Sequence, residues 1–273
     1  MPMQKLTEIA SRRELFVNLT LRELRTKYKR SVLGWTWSLL NPLTSLVIYW
    51  FVFGVIFGVE AEPGNPSGLT SFAMFLMTGL LPYTFIANAL QGGMNSLIGN
   101  ANLVKKVWFP REILVAASTA SWVVSFLIEL GVLSVVLLFF GNVVLPWVPM
   151  VLFLVAIEVV FVLGLSLMLA AAAVYFRDLQ HLLGLALQVW FYTAPIVYPM
   201  KLVQDQLGTT GWKITLYNLN PLTRFVEAFR DVLYDLRFPP LDHIVYLIVV
   251  SAVALALGMR VFGRLEARVA EEL

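Results

Sequence analysis

Cationic side chains gather immediately before the first long apolar stretch of the chain. The group consists of Arg22, Arg25, Lys27, Lys29 and Arg30, with Tyr28 among them. The planar guanidinium of arginine binds phosphate through two parallel hydrogen bonds, and lysine adds a compact point charge. Such a group suits the phosphate or pyrophosphate of an anionic lipid at a membrane surface. Cations beside a first span also orient membrane proteins, and the residues alone leave both interpretations open.

Two acidic residues lie inside stretches that are otherwise apolar enough to cross a bilayer. These are Glu129 and Glu158. A charged side chain at the centre of a bilayer costs about 2.5–3.5 kcal/mol or more, so each carboxyl is a functional candidate. Either could relay protons or bind an ion. The structural alternative is a protonated or paired carboxyl at a contact between two helices.

Other kinds of chemistry are poorly represented in the sequence. The chain has no cysteine, which excludes thiol catalysis and cysteine zinc sites, and its two histidines, His181 and His243, are far apart. It has no G-x-x-x-x-G-K-[ST] loop for nucleotide phosphates. The acids are scattered, which argues against a lipid-phosphate enzyme. We therefore expect no catalytic residue, no bound metal and no cofactor on this chain.

The candidate residues must be carried by membrane helices. Of the 273 residues 59% are hydrophobic and 14% are charged, against about 25% charged in soluble domains, and the mean hydropathy is +0.79. The sequence therefore predicts an all-α integral membrane protein. Six stretches are long enough to be considered as spans. They are Trp35–Val59, Phe72–Ile98, Ile113–Phe140, Pro146–Val174, Leu182–Val197 and His243–Phe262.

The distribution of cations predicts the orientation. If the N-terminus is cytoplasmic, 15 of the 20 Lys and Arg residues fall in cytoplasmic segments and five in one long external segment, so both termini are predicted inside. Residues 1–34 then form a cytoplasmic amphipathic interface helix, with Val17, Leu21, Leu24 and Tyr28 on its apolar face. Residues 35–262 form the six-span domain, and 263–273 form a cytoplasmic tail. The external region near 200–240 is predicted as re-entrant helices, with an ordinary loop as the alternative.

Four segments carry a resemblance to a known family. They are the stretch 26–43 (TKYKRSVLGWTWSLLNPL), 102–114 (NLVKKVWFPREIL), 175–179 (YFRDL), and 194–199 (APIVYP) followed by NPL at 220–222. In this order, and at these places among six spans, they resemble the ABC-2 type permeases that export O-antigen, capsule and other polysaccharides, and wall teichoic acid. The ordered set covers nearly the whole chain.

The resemblance implies partners and a substrate. It implies a homodimer in the bacterial plasma membrane that binds two copies of a separate ABC ATP-binding subunit, with ATP and Mg on that partner. The substrate would be a lipid-linked polysaccharide or teichoic-acid-type polymer, with no nucleic acid involved. The alternatives are an ABC-2 exporter of another lipid or small molecule, and a gradient-driven transporter or channel that uses Glu129 and Glu158.

The resemblance also implies roles for particular residues. The segment 100–112 would be a coupling helix that docks on the ATPase, and a tight cytoplasmic turn is the alternative. The predicted contacts are Lys105, Lys106, Val107, Trp108, Phe109, Pro110, Arg111 and Glu112, with a smaller contact at Arg177 and Asp178.

Aromatic residues of the first and fifth spans are candidates to line a passage, because the C–H faces of sugar rings stack on aromatic rings. The predicted lining residues are Tyr49, Trp50, Phe53, Phe57, Trp190 and Tyr192. The alternative is lipid-facing packing and the aromatic belts of the membrane interface.

Overall fold

The computed structural model describes residues 13–27, 36–107, 109–176 and 178–272, with side chains as far as residue 266, and these residues are nearly all helical. The α-helices are α1 (Arg13–Lys27), α2 (Trp37–Tyr49), α3 (Phe72–Asn95), α4 (Ala101–Lys106), α5 (Glu112–Phe139), α6 (Val148–Tyr175), α7 (Leu179–Tyr192), α8 (Met200–Leu207), α9 (Trp212–Asn218), α10 (Pro221–Arg230) and α11 (Leu241–Glu272). Two π-helical segments, Trp50–Ile56 and Asp231–Asp235, continue α2 and α10.

Five helices among the described residues are long and apolar enough to cross a membrane. They are Trp37–Ile56, Phe72–Asn95, Glu112–Phe139, Leu145–Tyr175 and Leu241–Glu266. The predicted fifth span is different: α7 has only 14 residues, or roughly 21 Å at 1.5 Å per residue, and the chain leaves the helix before Pro195. Five of the six predicted spans thus match helices of sufficient length. The predicted fifth span, Leu182–Val197, stays a prediction, as does the placement of the termini.

Helix α3 is the centre of the subunit. In the most apolar part of this helix 78% of the residues are buried inside the subunit, whereas in the corresponding part of the first span only 11% of the residues are buried. Its neighbours are α5, α6, α7 and α10. Ring contacts join α3, α5 and α10. The rings of Phe85 in α3 and Phe126 in α5 stack with their centres 4.8 Å apart, and the ring of Phe229 in α10 meets Phe126 edge-on at 5.9 Å between centres. The first span is therefore peripheral, and most of its apolar surface is exposed in the single subunit.

Helices α6 and α11 approach each other through glycine. A Cβ at Gly164 would lie 2.4 Å from the backbone of Ala254, and a Cβ at Gly258 would lie 2.1 Å from the Gly164 carbonyl oxygen. Small residues allow membrane helices to pack backbone against backbone. This contact fixes the last span against the fourth.

The segment between α7 and α11 consists of helical pieces, as predicted, and its external position stays a prediction. Asn220 caps α10 by accepting a hydrogen bond from the Leu222 amide at 3.1 Å, and Pro221 occupies the first turn. The Tyr234 hydroxyl donates to the Leu69 carbonyl at 2.6 Å, and the Asn142 amide donates to the Leu233 carbonyl at 2.8 Å. The last two bonds tie the π-helical extension of α10 to the connection between the first span and α3 and to the connection between α5 and α6. The depth of these helical pieces in a bilayer stays a prediction.

The glycine contact gives a stability prediction. We expect Gly164→Ala to lower the thermal unfolding midpoint in detergent by several degrees, because the new methyl group meets backbone that cannot move aside, and overpacking costs about 1–3 kcal/mol. The control is Gly131→Ala in α5, where no atom lies within 4 Å of the new Cβ. Alanine there should be neutral or stabilising. An equal loss in both variants would contradict this account of the contact.

Candidate functional site

The predicted coupling segment is a short helix followed by a bend. A 3₁₀ turn, Ile98–Asn100, leads into α4, Val107 is extended, and α5 begins at Glu112. Pro110 explains the break, because proline removes a helical donor and disfavours helical geometry in the preceding residue. Trp108 lies outside the described residues.

Only part of this segment is available to a partner. Lys105, Lys106 and Val107 are exposed, and Val107 exposes 52% of its surface. By contrast, Phe109 and Glu112 are each only 6% exposed. These two residues belong to the interior of this subunit, in contrast to the partner contacts that the resemblance implies.

Phe109 is part of an apolar cluster that joins several elements at this end of the molecule. The cluster includes Leu19 of α1, Val104 of α4, Ile113 of α5 and Phe262 of α11. Pro110 is half-buried. Arg111 donates to the Glu266 carbonyl at 2.5 Å, which ties the bend to α11. The segment thus packs on its own subunit through one side and exposes Val107 with its two lysines on the other.

The second predicted cytoplasmic contact adds an unexpected apolar side chain. Asp178 is exposed, Arg177 lies outside the described residues, and Phe176 is 67% exposed at the end of α6. Phe176 stands inside the quoted segment YFRDL, but no role was predicted for it from the sequence. Its exposed ring next to a polar turn is available for a contact with another molecule, although single exposed apolar side chains are common on protein surfaces.

The cationic group divides into two. Arg25 is exposed, and Arg22 donates to the Asn100 side chain at 2.5 Å and pairs with Glu23 at 3.2 Å. Tyr28, Lys29 and Arg30 lie outside the described residues. Among the described members, Arg25 and the half-exposed Arg22 are therefore accessible to an anionic headgroup.

The sequence suggests that the Lys27 side chain is free to bind phosphate, but in the structure its ammonium group already has partners. Its ammonium lies 3.4 Å from the ring centre of Trp122 and donates to the Ser121 carbonyl at 3.1 Å and to the Ser125 hydroxyl at 3.3 Å. Burial lowers the pKa of Lys27 to about 7, and the charges of Glu129 and Glu23 offset this only in part. The lysine thus anchors α1 to α5, which removes it from the accessible cations.

Of the apolar face predicted for α1, the structure turns only Leu24 inward among the described residues. Leu19 and Leu24 are buried, whereas Val17 and Leu21 are exposed. The inward face follows α5 and ends at Lys27. Val17 and Leu21 stay available to an apolar phase outside the subunit.

The aromatic residues of the first span begin a series of ring contacts. Tyr49 contacts Phe53 with ring centres 6.3 Å apart, and Phe53 contacts Phe72 at 4.9 Å. The series continues to Phe75 at 6.0 Å and to Tyr234 at 5.6 Å. Tyr49 and Phe53 thus pack toward the external region of the same subunit.

The other predicted lining residues are distributed differently. Trp50, Phe57 and Tyr192 are exposed by 48%, 65% and 62%. Trp190 is half-buried and donates to the Asn220 side chain at 2.7 Å. The exposed aromatics of the first span and of α7 are the ones that a second protein surface, a lipid or a sugar would meet.

The two intramembrane glutamates have different surroundings. Glu158 is fully buried, and neither carboxyl oxygen has a hydrogen-bond partner among the described residues. Glu129 is half-buried within reach of the Lys27 charge. They lie on different helices, and no set of three His, Asp or Glu residues in the described part of the chain is arranged to hold a metal.

A polar cavity of about 310 Å³ lies beside α10 and was not anticipated from the sequence. Its charged lining residues are Glu62, Lys201, Glu227, Arg230, Asp231, Asp235, Arg237 and His243. The signal in the sequence was the placement of Glu227, Arg230 and Asp231 among apolar residues of one short helix, which puts charges beside a buried face.

Burial perturbs the acids of this cavity. It raises the pKa of Glu227 to about 7, because Arg224, Arg230 and Arg237 offset the loss of water only in part and Asp231 opposes them. It raises the pKa of Asp231 to about 6 despite the bond from Arg237. Shifted acids in a cleft are typical of functional sites.

Comparison with known proteins decides the family. The sequence profile described as "ABC-2 type transporter" matches residues 14–234. The chain belongs to the ABC-2 type transporter family. This match covers α1, the coupling segment, the first four long helices and the external region as far as Tyr234.

Individual ABC-2 relatives match from end to end. The O-antigen export system permease protein RfbA of Myxococcus xanthus is 29% identical over 97% of this chain and 98% of its own length. RfbA of Klebsiella pneumoniae is 29% identical over 95% of each chain. The polysialic acid transport protein KpsM of Escherichia coli is 22% identical over 89% of this chain and 90% of its own.

Membership in the ABC-2 family gives these surfaces a common context. The chain is a membrane transport component rather than an enzyme, and the family implies association with an ABC ATP-binding subunit. The exposed residues at the bend after α4 and at the end of α6, the accessible arginines of α1 and the polar cavity near α10 are therefore features of a transport protein.

The shifted pKa of Glu227 gives a pH prediction. Between the ordinary value of 4.5 and about 7, the folded chain holds a proton that the unfolded chain has released. The free energy of unfolding contributed by this group therefore falls as pH rises through that window. Glutamine at this position cannot ionise. We therefore expect the thermal unfolding midpoint of Glu227→Gln, measured relative to that of the wild type, to increase by a few degrees as pH is raised from 5 to 8. Parallel midpoint curves for the two proteins would contradict the assignment.

Proposed function

We propose that this chain is the permease subunit of an ATP-driven exporter that moves a lipid-linked polysaccharide across the bacterial plasma membrane. The observation that carries the proposal is the end-to-end similarity to permeases named for O-antigen export and polysialic acid transport. In the proposed complex two copies of this chain bind two copies of a separate ATP-binding subunit, which holds ATP and Mg. A teichoic-acid-type polymer remains within the proposed substrate class.

The proposed first step is capture of the carrier pyrophosphate at the cytoplasmic leaflet. Arg25 is exposed near the end of α1, and Arg22 is held by Asn100 beside the coupling segment. Lys29 and Arg30 extend this cationic surface in the sequence. Lys27 has the separate role of holding α1 on α5, so that the accessible arginines keep a fixed position relative to the membrane helices.

The proposed second step is transmission of movement from the ATPase. Val107 forms an apolar projection with Lys105 and Lys106 beside it, and Phe176 forms a second one at the end of α6. Apolar anchors inside a charged rim are typical of specific protein interfaces. Because Phe109 and Arg111 fasten the same segment to α5 and α11, a push on Val107 moves these helices as a unit.

The proposed passage lies between two copies of the chain. The first span is only 11% buried and exposes Trp50 and Phe57, and α7 exposes Tyr192. A polymer of sugars needs a surface that it can slide along, and aromatic faces provide weak contacts that repeat along a chain. The supporting observation is that the first span and α7 have few buried residues of their own and carry the exposed rings of Trp50, Phe57 and Tyr192.

Deletion of the gene tests the proposed function directly. We expect the surface polysaccharide to disappear and the lipid-linked polymer to accumulate inside the cell, and a plasmid copy should restore export. Antibody to the polymer, applied to intact and to permeabilised cells, measures both pools. Unchanged polymer at the cell surface would overturn the proposed substrate class. In that event an ABC-2 exporter of another lipid or small molecule becomes the leading alternative.

The coupling surface gives a second prediction. We expect Val107→Asp to reduce co-purification of the ATP-binding subunit about tenfold, because a buried interface anchor contributes more than about 1 kcal/mol. Export should fall with it. The control is Leu219→Asp, which makes the same change at an exposed residue (55%) in the predicted external region. Full recovery of the ATPase with Val107→Asp would show that it docks elsewhere.

A further inference from the structure

The polar cavity beside α10 is bordered by Phe75 of α3 and by four other parts of the chain. The loop around Glu62 and Asn65, the start of α8 at Met200, the Glu227 to Arg237 stretch and the start of α11 at His243 contribute its walls. Its volume of about 310 Å³ lies at the small end of ligand sites, which hold about 300–1,000 Å³. It has room for a ligand the size of a single sugar ring.

The cations that line the cavity are already engaged. Lys201 pairs with Glu62 at 2.9 Å, and Arg237 pairs with Asp231 at 2.5 Å and with Asp235 at 3.3 Å. Arg230 donates through its terminal nitrogens to the Pro195 carbonyl at 2.9 Å and to the Ile196 carbonyl at 3.2 Å. Lys201 and Arg237 are thus paired with acids of the lining, whereas Arg230 bonds to neutral carbonyls of the chain turn.

Several polar atoms of the cavity have no partner. Arg230 is only 7% exposed, yet its Nε–H donates to nothing in the described part of the chain. The Nδ1 atom of His243 is likewise buried without a partner. The Glu227 carboxyl makes no hydrogen bond to any described residue, and its charge is balanced only at a distance. A buried polar group without a partner costs about 1–3 kcal/mol, so Arg230 Nε–H and His243 Nδ1 leave unmet hydrogen-bonding capacity beside the cavity. The half-buried Glu227 carboxyl adds an acceptor that a ligand can reach.

The lining selects among ligand classes. Four carboxyl groups face the cavity with three cations, and this excess of acids disfavours phosphate and other anions. The described acids and histidines do not form a metal-binding group. A neutral polyol fits, because each hydroxyl both donates and accepts a hydrogen bond.

We propose that this cavity is a binding site for a neutral sugar unit of the exported polymer on the external side of the membrane. A sugar hydroxyl donates to the Glu227 carboxyl and another accepts from Arg230 Nε–H. The site rests on the proposed function for its polymer and for its side of the membrane. It would give the leading end of the polymer a place to bind as it leaves the passage.

The first test uses the wild-type transporter complex in lipid nanodiscs. A carbodiimide modifies accessible carboxyl groups, and peptide mass spectrometry reads the rate at Glu227. The probes are short oligosaccharides prepared from the surface polysaccharide of the cells that encode this chain, inorganic phosphate and calcium chloride. We expect the oligosaccharides alone to slow modification of Glu227, at least fivefold at saturation. Protection by phosphate or calcium instead, or by none of the three, would overturn the sugar site.

The second test compares two variants that remove one negative charge each. We expect Glu227→Gln to weaken oligosaccharide binding about tenfold, since a neutral acceptor replaces a charge-assisted one. Asp205→Asn, in an exposed acid of α8 that does not line the cavity, should bind as the wild type does. Saturation-transfer NMR on the complex measures both affinities. Equal affinity in wild type and Glu227→Gln would overturn the assignment of the carboxyl.

The two proposals fail in distinguishable ways. If deletion of the gene abolishes surface polymer but the oligosaccharides neither protect Glu227 nor bind, the sugar site is wrong and the exporter stands. If deletion leaves the surface polymer unchanged, the exporter proposal fails first, whatever the cavity binds.

Discussion

The Arg230 guanidinium is the interaction on which the end of the subunit that contains α10 depends. It lies 3.6 Å from the ring centre of Phe75 in α3 and bonds to the carbonyls of Pro195 and Ile196. Those carbonyls are left without helical partners because the chain turns at Pro195, and an unbonded carbonyl in an apolar setting is costly. One side chain from α10 therefore allows α7 to end early and fastens the turn to the central helix.

The opposite end of the subunit is organised differently, around an apolar cluster with polar bonds at its edges. Leu19, Val104 and Phe262 pack from three helices against Phe109 of the bend after α4. Lys27 contributes a cation–π contact and two hydrogen bonds to α5, interactions that gain strength as water is excluded. The coupling segment is thus part of the subunit's own packing, and only its outermost residues are available to another protein.

The sequence predicts what depends on local pattern and misses what depends on neighbours. Long apolar stretches gave five helices that match predicted spans, and Pro110 and Pro195 lie where helices break. The burial of Lys27, Phe109 and Glu112 was not foreseen, because a short helix can turn either of two faces inward and only tertiary packing decides between them. The Arg230 site was missed for the same reason: charges near one another in sequence indicate solvent exposure until a second helix and a chain turn are placed around them.

The glycine contact between α6 and α11 has a mechanical consequence. Backbones that touch directly have many short van der Waals contacts and few rotatable atoms between them, so this pair resists shear. The first span and α7 are held by fewer buried side chains. A load applied to the subunit would deform it at these two helices before it deformed the α6–α11 pair. We therefore expect the α6–α11 pair to stay rigid while the first span and α7 move. These two mobile helices carry the exposed rings of Trp50, Phe57 and Tyr192.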